Sequence, residues 1–130
     1  MHIGFDERLA HLVEAGADLF LMPSQFEPCG LNQMYSLRYG TVPLVHATGG
    51  LADTVQNFDA ASGTGTGFTF DEYSPQALLG TLRWALGVFK DQQTWRRIQV
   101  AGMRQDHSWA ASARRYVEVY ERAAASRVWA

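Results

Sequence analysis

Apolar positions in the first half of the chain alternate between short unbroken runs and sparser repeats at helical spacing. Residues 6–14 carry Leu9, Leu12 and Val13 at i, i+3 and i+4 behind Asp6, a good helix cap, which predicts a short amphipathic helix that Gly16 ends. Residues 17–22 finish in Leu19-Phe20-Leu21-Met22, a run long enough for a buried strand, and Pro23 stops it. A second helix is predicted over residues 30–39, carrying Leu31, Met34, Tyr35 and Leu37, with Gly40 as its stop; Pro43-Leu44-Val45 then makes the next strand. Strands and helices alternating at this spacing leave no hairpins. They predict βαβ crossovers and a parallel sheet, in which ligands bind at the C-terminal ends of the strands.

The second half has a different texture. Thr48-Gly49-Gly50 leads into a short segment over residues 51–55, and residues 57–67, dense in Gly, Ser, Thr and Asp, read as a loop free to move. Gly67-Phe68-Thr69-Phe70 reads as a last short strand. Three trailing helices follow. Ser74 caps the first, with Pro75 at its opening position and Leu78, Leu82, Ala85, Leu86 and Phe89 on its apolar stripe to about residue 90. Asp91 caps the second, with Trp95, Ile98, Ala101 and Gly102, and Ser108 caps the third. In that third helix Ala113, Tyr116, Val117 and Tyr120 form the stripe, leaving Arg114, Arg115, Glu118, Glu121 and Arg122 to solvent. The chain divides into an α/β part over about 1–90 and trailing helices over about 91–130, without internal repeat or low-complexity tract.

Composition narrows the partners. The 130 residues make one domain's length, or part of something larger, with enough apolar content for a core. Ten arginines and one lysine are scattered and the formal net charge is −2, so no basic tract points to nucleic acid or an anionic membrane surface. No apolar run approaches the roughly 20 residues that span a bilayer, and the N-terminus lacks a basic-then-apolar export pattern. One cysteine cannot close an internal disulfide, and His2, His11, His46 and His107 show no metal-ligand spacing with it. A reducing compartment, no structural metal and no cofactor are expected.

Chemistry concentrates at the junction Pro23-Ser24-Gln25-Phe26-Glu27-Pro28-Cys29-Gly30-Leu31-Asn32, between the first strand and the second helix. Glu27, held between Phe26 and Pro28, is a carboxylate on a stiffened loop beside free helix N-terminal amides, a combination suited to a sugar phosphate. Its alternative is an ordinary solvated loop acid. Cys29 at a helix start is a candidate nucleophile in principle, but no histidine is near it in sequence. Thr48-Gly49-Gly50 has the composition of a close-approach loop whose amides face a phosphate, although Gly-Gly is also common in plain turns. His46 reads as structural rather than as a general base, and the aromatic residues of the trailing helices as packing.

Taken in order, Pro23-Ser24-x-Phe26-Glu27-Pro28-Cys29-Gly30-Leu31-x-Gln33, Arg38-Tyr39-Gly40-Thr41-x-Pro43 and Thr48-Gly49-Gly50-Leu51-Ala52-Asp53-Thr54-Val55 closely resemble the bacterial glycogen synthase and plant starch synthase family. The likeness runs from Ile3-Gly4-Phe5-Asp6-Glu7 through Gly67-Phe68 to Ser108-Trp109. It implies the C-terminal part of a Rossmann-like domain of a GT-B glycosyltransferase, which moves glucose with retention from ADP-glucose to the non-reducing 4-hydroxyl of an α-1,4-glucan. By resemblance Glu27 is the acid beside the transferred glucose. The Cys29, Gly30 and Leu31 amides contact sugar hydroxyls, Asn32 faces the distal phosphate, Thr48, Gly49 and Gly50 lie beside them, and the Cys29 thiol is reduced to packing. Phe5 stands where the family stacks adenine, usually on tyrosine, and Asn32 where threonine is common. Tyr35 occupies the place of a second glutamate in related transferases, as is normal in this family.

Other family parts do not occur in the sequence: the Lys-x-Gly-Gly-Leu motif, the acceptor-binding domain that carries it, and the basic pair that neutralises the diphosphate. The resemblance therefore implies a fragment inactive alone, with ADP-glucose or ADP as ligand, glucan reached through the absent domain, and a bacterial cytoplasm or plant plastid as its location. A lost sheet neighbour would leave an exposed strand edge and an apolar helix face. Two other readings stay open, a non-catalytic nucleotide-sugar-binding or assembly module and a GT-B transferase using a UDP or GDP donor.

Overall fold

The computed structural model describes residues 3–126. In chain order it contains α1 (Glu7–Gly16), β1 (Leu19–Met22), α2 (Asn32–Tyr39), β2 (Val42–His46), α3 (Gly49–Thr54), β3 (Phe68–Phe70), α4 (Pro75–Phe89), α5 (Gln92–Met103) and α6 (Trp109–Ala125). The expected α/β class is observed. The strands form one all-parallel sheet in the order β1-β2-β3, with Leu19 opposite Val42 and Leu44 opposite Phe68. Met22, His46 and Phe70 therefore end at the same edge, where residues 23–31, 47–48 and 71–74 emerge.

β2 is the centre of the fold, and all five of its residues are buried. Proline in a central strand loses a ladder donor, yet Pro43 sits in β2 at little cost. The Val42 amide donates to Asp18 on the β1 side at 3.1 Å, so by alternation the donor Pro43 lacks would point toward β3, whose pairing begins one residue later at Leu44. One sheet face carries Val42 and Leu44, packed with Phe58, Phe68, Phe70, Ala85, Trp95 and Ile98; the other carries Val45, packed with Leu51 and Val55. Phe68 stacks on Trp95, which lies in the core as expected, and meets the more exposed Trp84 edge-on.

Four helix starts follow their sequence signals. Asp6 accepts from the Leu9 amide, Ser74 from Ala77, Asp91 from Gln93 and Thr94, and Ser108 from Ala111. Hydroxyl and amide donors from Thr94 hold the Asp91 carboxyl below the usual carboxylate range.

Elsewhere the pattern was incomplete. The expected strand over 17–22 starts at Leu19 because Ala17 still caps α1. The helix expected from residue 30 starts at Asn32, since Gly30 has φ +74°, a left-handed conformation that no helix continues through. Its buried residues are Gln33, Ser36 and Leu37, while Leu31 and Tyr35 are exposed. The short segment over 51–55 belongs to a helix that spans Gly49–Thr54. Residues 57–67 are built rather than loose: isolated bridges join Asn57 to Gly67 and Asp59 to Thr64, and the Asp59 carboxylate accepts from Ala61 and from the Ser62 amide and hydroxyl.

α1 departs most from its pattern. Leu9, Leu12 and Val13 are exposed, and the helix instead packs through its other side. His11 lies against Tyr35 and Tyr39, and the Glu14 carbonyl accepts from the Thr41 hydroxyl. These contacts advance along both helices together, so α1 runs beside α2 in the same sense and its N-terminus lies at the edge where the strands end. α6 buries no residue at all; Trp109 is 89% exposed and Tyr116, Val117 and Tyr120 face outward. The stripe read for this helix exists, without a partner among the described residues.

Two outcomes are expected from this packing. Because β1 and β3 are sheet edges and the α1 and α6 stripes are uncovered, the chain alone should sediment as oligomers, and joint Tyr116→Glu and Tyr120→Lys changes should move it toward monomer. A native chain that sediments as a monomer and melts cooperatively contradicts this. Glu14 is 6% exposed with Oε2 unpartnered, and burial raises its carboxyl pKa above the ordinary 4.5, with His11 opposing the rise. A raised native pKa means that the folded state holds the proton more tightly. Stability is therefore fullest below the unfolded pKa and falls as pH rises through the native one. Glu14→Gln should raise the melting temperature at about pH 7 and change it little at about pH 4; equal gains at both would overturn this.

Candidate functional site

The site forms where residues 23–31 cross the start of α3. The Gly50 amide donates to the Glu27 carbonyl at 3.1 Å, pinning backbone to backbone. A β-carbon on Gly49 would collide with the Glu27 carbonyl oxygen, and one on Gly50 with that of Cys29. Gly49 also has φ +45°, a conformation that other residues rarely adopt. The glycine pair is indeed a close-approach loop, but what approaches it is the chain's own backbone.

That crossing revises which amides are free. The Gly50 amide is taken by Glu27 and the Thr48 amide by the His46 carbonyl at 2.8 Å, leaving Gly49 as the open donor of the three. On the facing loop, the amides of Cys29, Gly30, Leu31 and Asn32 meet no protein acceptor among the described residues. Leu31, the N-cap of α2, supplies no side-chain cap to satisfy them. An uncapped helix start with a run of unpaired amides is an anion-binding arrangement.

The expected site residues fall into two groups. Glu27, Cys29, Gly30, Leu31 and Asn32 lie together on one continuous loop, with Thr48, Gly49 and Gly50 against it. Glu27 is half-buried, and among the described residues no cation pairs with it; the ion pair found is Arg114–Asp106, at 3.6 Å on the far helix. Phe5, 94% exposed ahead of α1, stands at the same end of the fold but packs on nothing. The Cys29 thiol is also exposed, facing the Gly30 carbonyl at 3.5 Å, so it is not the packing group expected of it. The loop turns its backbone inward here, which throws this side chain out. Among the described residues no cluster of three His, Cys, Asp or Glu could hold a metal ion.

Three further residues hold the loops in place, of which Gln33 and Thr54 carried no assigned role in the sequence. His46, buried at the end of β2, has Nδ1 at 2.8 Å from the Ser24 carbonyl and Nε2 at 3.2 Å from that of Asp71. It ties the loop after β1 to the loop after β3, a structural part as expected, with its ring between Phe70 and Tyr73. Gln33 and Thr54 link the other side. Gln33 Nε2 lies 3.0 Å from both the Cys29 and Gly30 carbonyls and 3.1 Å from Thr54 Oγ1, and the Thr54 hydroxyl donates to Gly50 at 2.6 Å. A polar residue on the same helical face as buried Leu37 was the available signal.

The model of the family described as "Glycosyl transferases group 1" matches residues 1–99. The chain belongs to that family. Its relatives place it in the glycogen and starch synthase branch of these group 1 transferases. Glycogen synthase of Anaeromyxobacter sp. (strain K) is 66% identical over 118 residues, covering 91% of this chain and 25% of that protein. That of Koribacter versatilis is 55% identical over 123 residues, covering 95% and 25%. Among solved structures, the catalytic domain of Starch Synthase IV from Arabidopsis thaliana bound to ADP and acarbose superposes with a TM-score of 0.83 at 40% identity, covering 92% of this chain and 25% of that one. This group 1 chain thus spans about a quarter of the length of its relatives. No described helix is long and apolar enough to cross a membrane.

The crossing gives a direct test. Gly50→Ala should force the loops apart at about 1–3 kcal/mol, the usual scale for overpacking, lowering the melting temperature and shifting the amide resonances of Glu27 and of residues 29–31. Gly80→Ala, on α4 with open space around its Cα, is the control and should be neutral or stabilising by up to about 1 kcal/mol. Equal effects of the two changes would mean that the crossing is not tight.

Proposed function

We propose that the chain is the donor-side piece of a retaining glucosyltransferase that moves glucose from ADP-glucose to the non-reducing end of an α-1,4-glucan. The observation that carries the reading is the run of unpaired amides from Cys29 to Asn32 beside the half-buried Glu27 carboxylate. It is supported by the membership of the chain among glycogen and starch synthases and by the likeness to a starch synthase domain bound to ADP.

The chemistry follows from where charge develops. When the bond from the anomeric carbon to the phosphate oxygen breaks, positive charge grows on the sugar and negative charge on the leaving ADP. Glu27 stabilises the first electrostatically; the unpaired amides at the start of α2, which the resemblance set against sugar hydroxyls, are assigned here to the second as well. The acceptor 4-hydroxyl attacks from the same face, and its proton passes to the departing phosphate oxygen. Phe5 offers an open ring face for adenine at the ligand end of the fold, and Asn32 a side-chain donor toward the distal phosphate. Thr48 and Gly49 border the sugar. Glucan would be held by parts of the protein beyond this sequence, which also lacks a basic pair for the diphosphate. The isolated chain is therefore inactive in this reading.

Calorimetric titration separates the alternatives. ADP and ADP-glucose should bind the chain, UDP-glucose more weakly, and no glucosyl transfer to glycogen should be detected. Glu27→Gln introduced into the enzyme that contains this segment should lower kcat by about 10²-fold, the scale for losing one preorganised electrostatic group. Tighter UDP-glucose binding would favour a different donor, and an unchanged kcat would favour a non-catalytic binding module.

A further inference from the structure

Gln33 is completely buried, yet nothing in the reaction described above uses it. Its carboxamide is placed unusually. The two hydrogens of Nε2 serve three acceptors, the carbonyls of Cys29 and Gly30 at 3.0 Å and Thr54 Oγ1 at 3.1 Å, whereas Oε1 is buried with no partner. A buried carbonyl oxygen left unpaired costs stability, and an apolar isostere of Gln would avoid that cost. The fold therefore keeps an amide where packing alone would favour methionine.

What the amide accomplishes follows from the geometry of the peptide group. The described residues contain no cis bond, and in a trans peptide the carbonyl of one residue and the N–H of the next point in opposite directions. By drawing the Cys29 carbonyl inward, Gln33 turns the Gly30 N–H outward; by drawing the Gly30 carbonyl inward, it turns out the Leu31 N–H. Gly30 must be glycine for the same reason. Its φ of +74° makes the second turn, and a β-carbon there would fall 2.5 Å from Gln33 Oε1. Thr54 closes the circuit, accepting from Gln33 while donating to Gly50, whose own amide holds Glu27.

We infer that Gln33 is the positioning residue of the donor site: it aims the Gly30 and Leu31 amides at the anionic ligand and, through Thr54, keeps them in register with Glu27. This rests on the proposal that the site binds a nucleoside diphosphate sugar. Gln33 itself touches no ligand. It acts by fixing two backbone donors that would otherwise be free to rotate, so its effect falls on affinity more than on folding.

The test uses the 130-residue chain, its ¹H–¹⁵N spectrum and titration with ADP. In the native chain, ADP should move the Gly30 and Leu31 amide signals most. Gln33→Met, close in volume but without a donor, should leave the melting temperature little changed, shift those two signals before any ligand is added, and weaken ADP at least tenfold. Thr54→Val should weaken ADP to a smaller extent, and Thr54→Ser, which keeps the hydroxyl, should restore native binding. Should Gln33→Met fail to fold, the Thr54 pair decides alone: equal binding by the Val and Ser variants overturns the inference. A folded Gln33→Met chain with native Gly30 and Leu31 signals also overturns it. Failure of the native chain to bind ADP counts against the proposed function instead, because the ligand-free signals of the variants still report whether Gln33 orients the loop.

Discussion

The structure depends on one contact of backbone with backbone, the passage of residues 27–29 over Gly49 and Gly50. Polar backbone groups pressed together must be paired or they cost free energy. The crossing meets that requirement with the Gly50 amide on the Glu27 carbonyl, and with Thr54 and Gln33 on the carbonyls of Gly50, Cys29 and Gly30. The inward carbonyls of Cys29 and Gly30 send the amides of Gly30 and Leu31 outward. The same hydrogen bonds that hold the loop down thus expose its donors.

The sheet provides the frame. Three parallel strands deliver three loops to one edge, and β2, buried along its length, ends in His46 at the middle of that edge. The imidazole reaches the loops on both sides, whereas Gly49 and Gly50, just after it in the chain, hold the first of them from below. Packing of Phe68 against Trp84 and Trp95 fixes β3 and hence the Asp71 carbonyl that His46 meets. Burial on one face of the sheet is in this way coupled to loop position at its end.

Much of this was legible from residue order. Asp6, Ser74, Asp91 and Ser108 each cap the helix their position announces, because a cap needs only a local side chain and the free amides two or three residues on. The closeness of Gly49-Gly50 was also legible, though not what it is close to, since a glycine signals absent volume and not the identity of its neighbour. The inward face of α2 was illegible to a count of apolar positions. It buries Gln33 and Ser36 beside Leu37, and a buried polar residue is explained by its distant partners, here loop carbonyls and a threonine on another helix. The stripes of α1 and α6 mark the opposite limit: spacing announces that a face is made to be covered but carries no information about the cover. Asp59 orders the 57–67 segment through short-range turn contacts that composition alone does not distinguish from solvation.

A site assembled from amides distributes its sequence requirements unevenly. The donors of Cys29 and Leu31 belong to the main chain, so their exposed side chains are replaceable as far as anion binding is concerned. The residues that cannot be exchanged are those that shape the backbone: Gly30 for its left-handed turn, Gly49 and Gly50 for the crossing, Gln33 for the carbonyls it gathers. In the proposed reaction Glu27 alone acts through a side-chain charge, and its backbone is held by the Gly50 amide on its carbonyl. The identity of the site therefore resides less in the groups that would touch a ligand than in the ones behind them, which is why a fully buried glutamine says more about this loop than its exposed cysteine does.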